Sequence, residues 1–283
     1  MATDSLILEA GDARLRVSPS AGGRIASLVV AGHELLITDG VAPISWGCYP
    51  MVPFAGRIRD GRFRFDGRDI QLARNLPPNA IHGTVFDRPW TVSAPDTLAI
   101  DLGPAWPFAG RVEQRFDLKP EGLEVTLSLE ADEPMPGALG WHPWFRRVLT
   151  GTSDEPLTPL AQAELRFDAA QMYVRDAAGL PTGELVPPRQ GPWDDCFTRV
   201  MGAPRLTWPG TMTLEIDSEC DHWVIYDEPS GSICVEPQTA PPDFPSIAPR
   251  TIEPGAPLHA VMRWRWWPGE LSDEAVGKDT ARV

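Results

Sequence analysis

Apolar and polar residues alternate with a period of two over much of the chain, the spacing that sends successive side chains to opposite faces of a β-strand. Phe63 and Phe65 alternate with arginines, Asp66-Gly67 supplies two residues that tolerate positive φ, and Ile70 and Leu72 resume the alternation. This pattern predicts a hairpin. Val112, Gln114, Phe116 and Leu118 lead up to Pro120-Glu121-Gly122, and Leu123, Val125, Leu127 and Leu129 then share one face, which predicts a second. Further on, Met212, Leu214 and Ile216 alternate, and His222 to Tyr226 joins Ser232 to Glu236 across Pro229-Ser230-Gly231. Near the end, Leu258, Ala260, Met262, Trp264 and Trp266 face one way, with His259, Val261, Arg263 and Arg265 opposite.

Each such strand has an apolar face to cover, and packing sheet on sheet covers it, so the expected fold is all-β with few or no long helices. Composition supports this. The 31 prolines and 25 glycines are scattered without period, which excludes collagen and implies many turns. A hydrophobic share of 42% is ordinary for a chain with a substantial core. Neither a linker between unlike compositions nor a fixed-period repeat stands out, which predicts one domain over residues 1–269. The polar, non-alternating stretch 270–283 reads as a loose tail or a short surface helix.

A formal charge of −14 argues against nucleic acid and anionic membrane surfaces as partners, because both are bound through Lys and Arg. A neutral small molecule is the better expectation; oligomeric state is left open. The four cysteines, Cys48, Cys196, Cys220 and Cys234, form no CxxC pair and read as reduced and mostly buried. The first residues lack the basic and apolar regions of a secretory leader, and no run approaches the ~18 apolar residues of a membrane span, so the expected location is cytoplasmic.

Three segments join an ionisable residue to proline and bulky aromatics: Pro53-Phe54-Ala55-Gly56-Arg57-Ile58 with Ile81-His82-Gly83, Gly140-Trp141-His142-Pro143-Trp144-Phe145, and Cys234-Val235-Glu236-Pro237-Gln238-Thr239. With Trp193-Asp194-Asp195-Cys196-Phe197 between the last two, the chain resembles the aldose 1-epimerase (galactose mutarotase-like) family from about Gly22 to Trp266. The resemblance implies a β-supersandwich and a site needing neither cofactor nor metal. It implies Glu236 as catalytic base and His142 as acid, with Arg57, His82 and an aspartate binding a sugar. Spacing to Phe197 favours Asp194 as that aspartate, with Asp195 the alternative. Gly56 stands where asparagine is common in the family.

The residues support the same chemistry. Exchanging the anomers of an aldose means taking a proton from the C1 hydroxyl while giving one to the ring oxygen, so an acid and a base must meet at the anomeric carbon. Free glutamate and histidine titrate near about 4.3 and about 6.5, and burial would raise the former. A bell-shaped kcat/KM profile that is not flat from about pH 5 to about 9 is therefore expected. Arg57 offers a rigid fork of donors and Asp194 two acceptors for hydroxyls. Trp46, Trp141 and Trp144 offer flat faces for the C–H side of a pyranose.

Taken singly, each residue has a plainer reading. A histidine among tryptophans is more often a packed core residue, Arg57 could be a surface ion-pair partner, and Asp194-Asp195 could be a turn. Their joint order reverses that balance. Three rivals stay open. A glycosidase would use two carboxyl groups roughly 5 to 9.5 Å apart, for which Asp194 and Glu236 are candidates. A hexose-6-phosphate epimerase would need extra cations, for which Arg59, Arg62 and Arg74 are candidates. A non-enzymatic sugar-binding protein would keep Arg57 and the tryptophans and lose a proton carrier.

Overall fold

The computed structural model describes residues 5–151 and 161–268. The stretch 270–283 lies outside the described residues. Where the alternation is strongest, strands form with the expected partners. Arg62–Phe65 pairs with Arg68–Gln71, and both turn residues between them have positive φ, 46° at Asp66 and 72° at Gly67. Gly110–Lys119 pairs with Gly122–Ala131 along its whole length, burying Val112, Phe116, Leu123, Val125, Leu127 and Leu129.

Two large sheets carry the structure. The smaller has eight strands, in the order Thr91–Ala94, Thr97–Asp101, Gly110–Lys119, Gly122–Ala131, Leu258–Pro268, Met212–Ser218, Arg205–Trp208 and Glu164–Arg166. The larger has eleven. Its middle runs from Gly140–Gly151 through Ser232–Gln238 and His222–Tyr226 to Asp194–Val200 and Ala169–Arg175, with the N-terminal strands beyond Gly140–Gly151. Cys48–Met51 pairs with both Gly140–Gly151 and Arg24–Val30.

One face of the larger sheet packs against the smaller one, and period-2 geometry decides which residues take part. Phe145 meets Trp264 edge-on at 5.0 Å between ring centroids. Trp141 donates its indole N–H to Gln114 Oε1 at 3.0 Å, and Gln114 donates in turn to the Gly23 carbonyl at 2.7 Å. Gln114 thereby has both ends of its amide satisfied inside the core, as burial demands. His142 and Trp144, the intervening residues, point the other way.

Helix is nearly absent among the described residues. The single α-helix, Phe244–Ile247, has four residues and begins after Asp243, whose N–H donates to the Arg57 carbonyl at 2.7 Å. No helix among the described residues is long and apolar enough to cross a membrane.

Candidate active site

Strand register assembles the floor of a cleft on the free face of the larger sheet. His142 lies opposite Tyr49 on one side, and the pairs Gly140 with Gln238 and Trp144 with Cys234 bring Glu236 opposite it on the other. Glu236 pairs onward with Val224, and Val224 with Cys196. A neighbouring row runs Trp144, Cys234, Tyr226, Asp194. Residues nearly a hundred positions apart become adjacent because every one occupies an alternate position of its strand.

Arg57 and His82 form a wall above this floor. Their segments pair as Arg57–Ile58 with Ala80–Ile81, and the His82 N–H donates to the Gly56 carbonyl at 2.9 Å. The chain turns sharply here, with φ +59° at His82 and +79° at Gly83. A side chain at Gly83 would put its Cβ 1.9 Å from the Val52 carbonyl oxygen, so the backbone crossing demands glycine. Gly56 also has positive φ, +65°, and a Cβ there would meet Pro242 at 2.6 Å. Pro242 thus gives a physical reason for glycine at this position.

The cleft encloses about 280 Å³ and is lined by Arg57, His82, His142, Trp144, Asp194 and Glu236, among others. At its base His142 Nε2 lies 3.2 Å from Glu236 Oε1, with both side chains almost wholly buried. Trp144 and Tyr49 sandwich the imidazole, each with ring centroids 5.0 Å away, and His82 meets its edge at the same distance. Gln238 donates to Glu236 Oε2 at 3.3 Å.

Burial governs the electrostatics. It raises the Glu236 carboxyl well above the ordinary range, with the Asp194 charge adding to the effect. It lowers His142 to about 3, with its own backbone carbonyl opposing and the charge of Arg24 adding. His82 is also held well below the usual imidazole range by burial, then by His142 and Arg57. In both groups burial favours the uncharged form, a protonated carboxyl beside a neutral imidazole.

The adjacent aspartates divide by strand face. Both border the cleft, and Asp194, with 29% of its side chain exposed, accepts from Arg175 at 3.0 Å through one oxygen. Asp195, 3% exposed, is saturated by Arg175 at 2.9 Å and Arg189 at 2.6 Å. Asp194 is the one with acceptor capacity left for a ligand. The Arg57 guanidinium has no hydrogen-bond or ion-pair partner among the described residues, so its donors remain unspent.

Residues 4–201 match the family described as Aldose 1-epimerase. The chain belongs to the aldose 1-epimerase family. Among its relatives are the uncharacterized YphB protein of Escherichia coli (strain K12), 35% identical over 105 residues, and the galactose mutarotase of Homo sapiens, 28% identical over 142. The maltose epimerase of Levilactobacillus brevis is 28% identical over 154 residues. These alignments cover 35%, 47% and 50% of this chain and 36%, 40% and 44% of the relatives, so the chain spans less than half the length of each. In fold it is similar to a galactose mutarotase-like protein from Clostridium acetobutylicum, with a TM-score of 0.78 at 18% identity, covering 93% of this chain and 94% of that one. Galactose 1-epimerase from Lactobacillus acidophilus NCFM gives 0.73 at 17% identity, with the same coverage.

Within this aldose 1-epimerase fold, two of the three tryptophans expected at the sugar do not reach the cleft. Trp141 faces the opposite sheet, as its odd position on the strand requires. Trp46 is not among the cleft-lining residues; its ring stacks 4.2 Å from the Arg24 guanidinium. That buried cation donates to the carbonyls of Ala21, Pro43, Trp46 and Phe86, which folds the loop around it. Sequence reading missed Tyr49, Arg175, Tyr226 and Gln238. Gln238 was within reach, since it follows Glu236 by two positions on one strand. Tyr226 and Arg175 enter only through strand pairing, for which the chain carries no local signal.

Proposed function

We propose that this chain interconverts the α and β anomers of a free monosaccharide without a metal ion, Glu236 and His142 exchanging protons with the anomeric hydroxyl and the ring oxygen. The observation that carries this reading is the 3.2 Å contact of the two groups at the base of a cleft. Hydroxyl-binding groups surround it: Arg57 with an unspent guanidinium, and Asp194 with free acceptor capacity.

The two sugar oxygens share one carbon, so an acid and a base in mutual contact can each reach one of them. A C1 hydroxyl donating to Glu236 favours the carboxylate and moves the shared proton to His142. Glu236 then takes the hydroxyl proton as His142 delivers its own to the ring oxygen, the C1–O5 bond breaks and an aldehyde forms. Rotation about C1–C2 and reversal of both transfers closes the other anomer. The pair carries one proton before and after, as a reaction without net proton change requires. Trp144 supplies a flat face beside the ring.

Other arrangements find less support. Neither Arg59, Arg62 nor Arg74 is among the cleft-lining residues, Arg59 is paired with Asp176 at 2.8 Å, and Arg62 donates to Gln71 at 2.5 Å. A phosphate would find only Arg57 without a carboxylate partner. A glycosidase would leave the His142–Glu236 contact without a role, and a binding protein would have no use for a buried proton. The shared core between the sheets supports treating residues up to 269 as one unit. Polarimetry of freshly dissolved α-glucose and α-galactose tests the reading. Glu236→Gln and His142→Asn should each lower the catalysed rate by about 100-fold or more. Rates equal to the unaltered chain in both would overturn it.

A further inference from the structure

Anomer exchange leaves the thiols near the cleft floor unused, and one of them reaches the proton-exchanging pair. Cys234 lies two residues before Glu236 on the same strand, opposite Trp144, and its thiol is free and wholly buried. A sulfur, a ring nitrogen and a carboxylate oxygen, from Cys234, His142 and Glu236, all lie within 4.8 Å of one another. A tetrahedral ion with bonds of ~2.0–2.3 Å holds its ligand atoms roughly 3.3–3.8 Å apart. The His142–Glu236 edge already measures 3.2 Å, so closing the triangle takes a movement of the thiol of at most about 1 Å.

Ligand chemistry narrows the class of ion. Thiolate with imidazole favours zinc and its thiophilic neighbours over calcium and magnesium, which prefer oxygen. Three protein ligands with the fourth position open toward a cleft is a coordination that zinc commonly adopts.

We infer that Cys234, His142 and Glu236 form a binding site for a thiophilic divalent cation of the Zn²⁺ class, which inhibits the chain by occupying both members of the proton-exchanging pair. On binding, the metal replaces the Cys234 thiol proton and the proton shared by Glu236 and His142, so two protons leave for each ion bound. Sugar and metal compete, because both need the same imidazole and carboxylate. The inhibitory consequence rests on the proposed epimerase reading, whereas the binding of the ion does not.

The test begins with the full chain freed of metal by dialysis against a chelator, then titrated with Co²⁺ and, separately, Zn²⁺. Thiolate ligation of Co²⁺ should give an intense near-ultraviolet charge-transfer band at one ion per chain, displaced by Zn²⁺. Cys234→Ser, which preserves volume, and Cys234→Ala should both lose the band and weaken Zn²⁺ in equilibrium dialysis by about tenfold or more. Cys196→Ser, altering another buried thiol at the cleft, should keep both. In polarimetry, Zn²⁺ should lower the catalysed rate and EDTA restore it. Cys234→Ala should keep its metal-free rate and need about tenfold more Zn²⁺ for the same inhibition.

Absence of bound ion, Co²⁺ bound without the thiolate band, or unchanged Zn²⁺ affinity in both Cys234 variants would overturn the inference. A chain without catalysed mutarotation would fail the proposed function, and the absorption and dialysis results would still decide the metal site.

Discussion

Burial favours the neutral form of both Glu236 and His142, and it does so by shifting them in opposite directions. The folded chain holds the Glu236 proton more tightly than the unfolded chain does. The stability this contributes is present below about pH 4.5, the free value, and is lost as pH rises through the raised one. For His142 the folded value, about 3, is below the free value of 6.5, so stability is lost as pH falls through that window. Glu236→Gln removes the first penalty. Urea melts at pH 8 should give it a higher midpoint than the unaltered chain while the proposed catalysis of mutarotation collapses; a lower midpoint would show that burial costs the carboxyl nothing. The kcat/KM profile follows from the same shifts. Its acid limb should fall toward pH 3, leaving the neutral range flatter than free glutamate and histidine would allow, and a limb near pH 6.5 would show that His142 is solvated in the free protein. The difference from the sequence-based expectation comes from burial by Tyr49 and Trp144, whose stacking depends on strand register.

At the scale of elements, the tight crossings decide where the wall of the cleft stands. Gly83→Ala forces a Cβ into the Val52 carbonyl at positive φ and should cost about 3 kcal/mol or more, read from denaturant midpoints. Gly56→Asn should destabilise because of Pro242 and recover in part in the double variant with Pro242→Ala, a coupling that a double-mutant cycle measures. If the two changes were additive, the contact would not explain the glycine. Local signals made several elements legible: Asp66-Gly67 marked its turn, and Pro120-Glu121-Gly122 marked another. Arg57, His82, His142 and Glu236 were legible as a set because each sits in a motif of rigid neighbours. The preference for Asp194 over Asp195 rested in the sequence on spacing to Phe197 alone, and the carboxylate contacts of Arg175 and Arg189 that bear on it come only from the fold. Trp46 was misread for a similar reason: its partner, Arg24, is a buried cation satisfied by carbonyls, and nothing adjacent to Arg24 in the sequence announces that.

For the molecule as a whole, the two sheets meet across a largely apolar interface crossed, among the described residues, by polar links such as Gln114 between Trp141 and the Gly23 carbonyl and the Trp208 indole N–H donating to the Arg146 carbonyl. Gln114→Leu would strand a buried N–H and a buried C=O, each costing about 1–3 kcal/mol, and should lower the urea midpoint without moving the cleft residues. An unchanged midpoint would indicate that water fills the gap. Alternation along strands could predict two packed sheets, yet not their order, because pairing between distant strands such as Gly140–Gly151 and Ser232–Gln238 leaves no trace in either one alone. That pairing has a further consequence. His142, Glu236 and Asp194 are separate contributions from three strands, and a slip of one residue in any of them would turn its polar group inward and an apolar one such as Val235 outward. A chain folded in the wrong register would therefore expose apolar surface and lose its cleft together, so quality control that discards sticky protein also discards chains without a site.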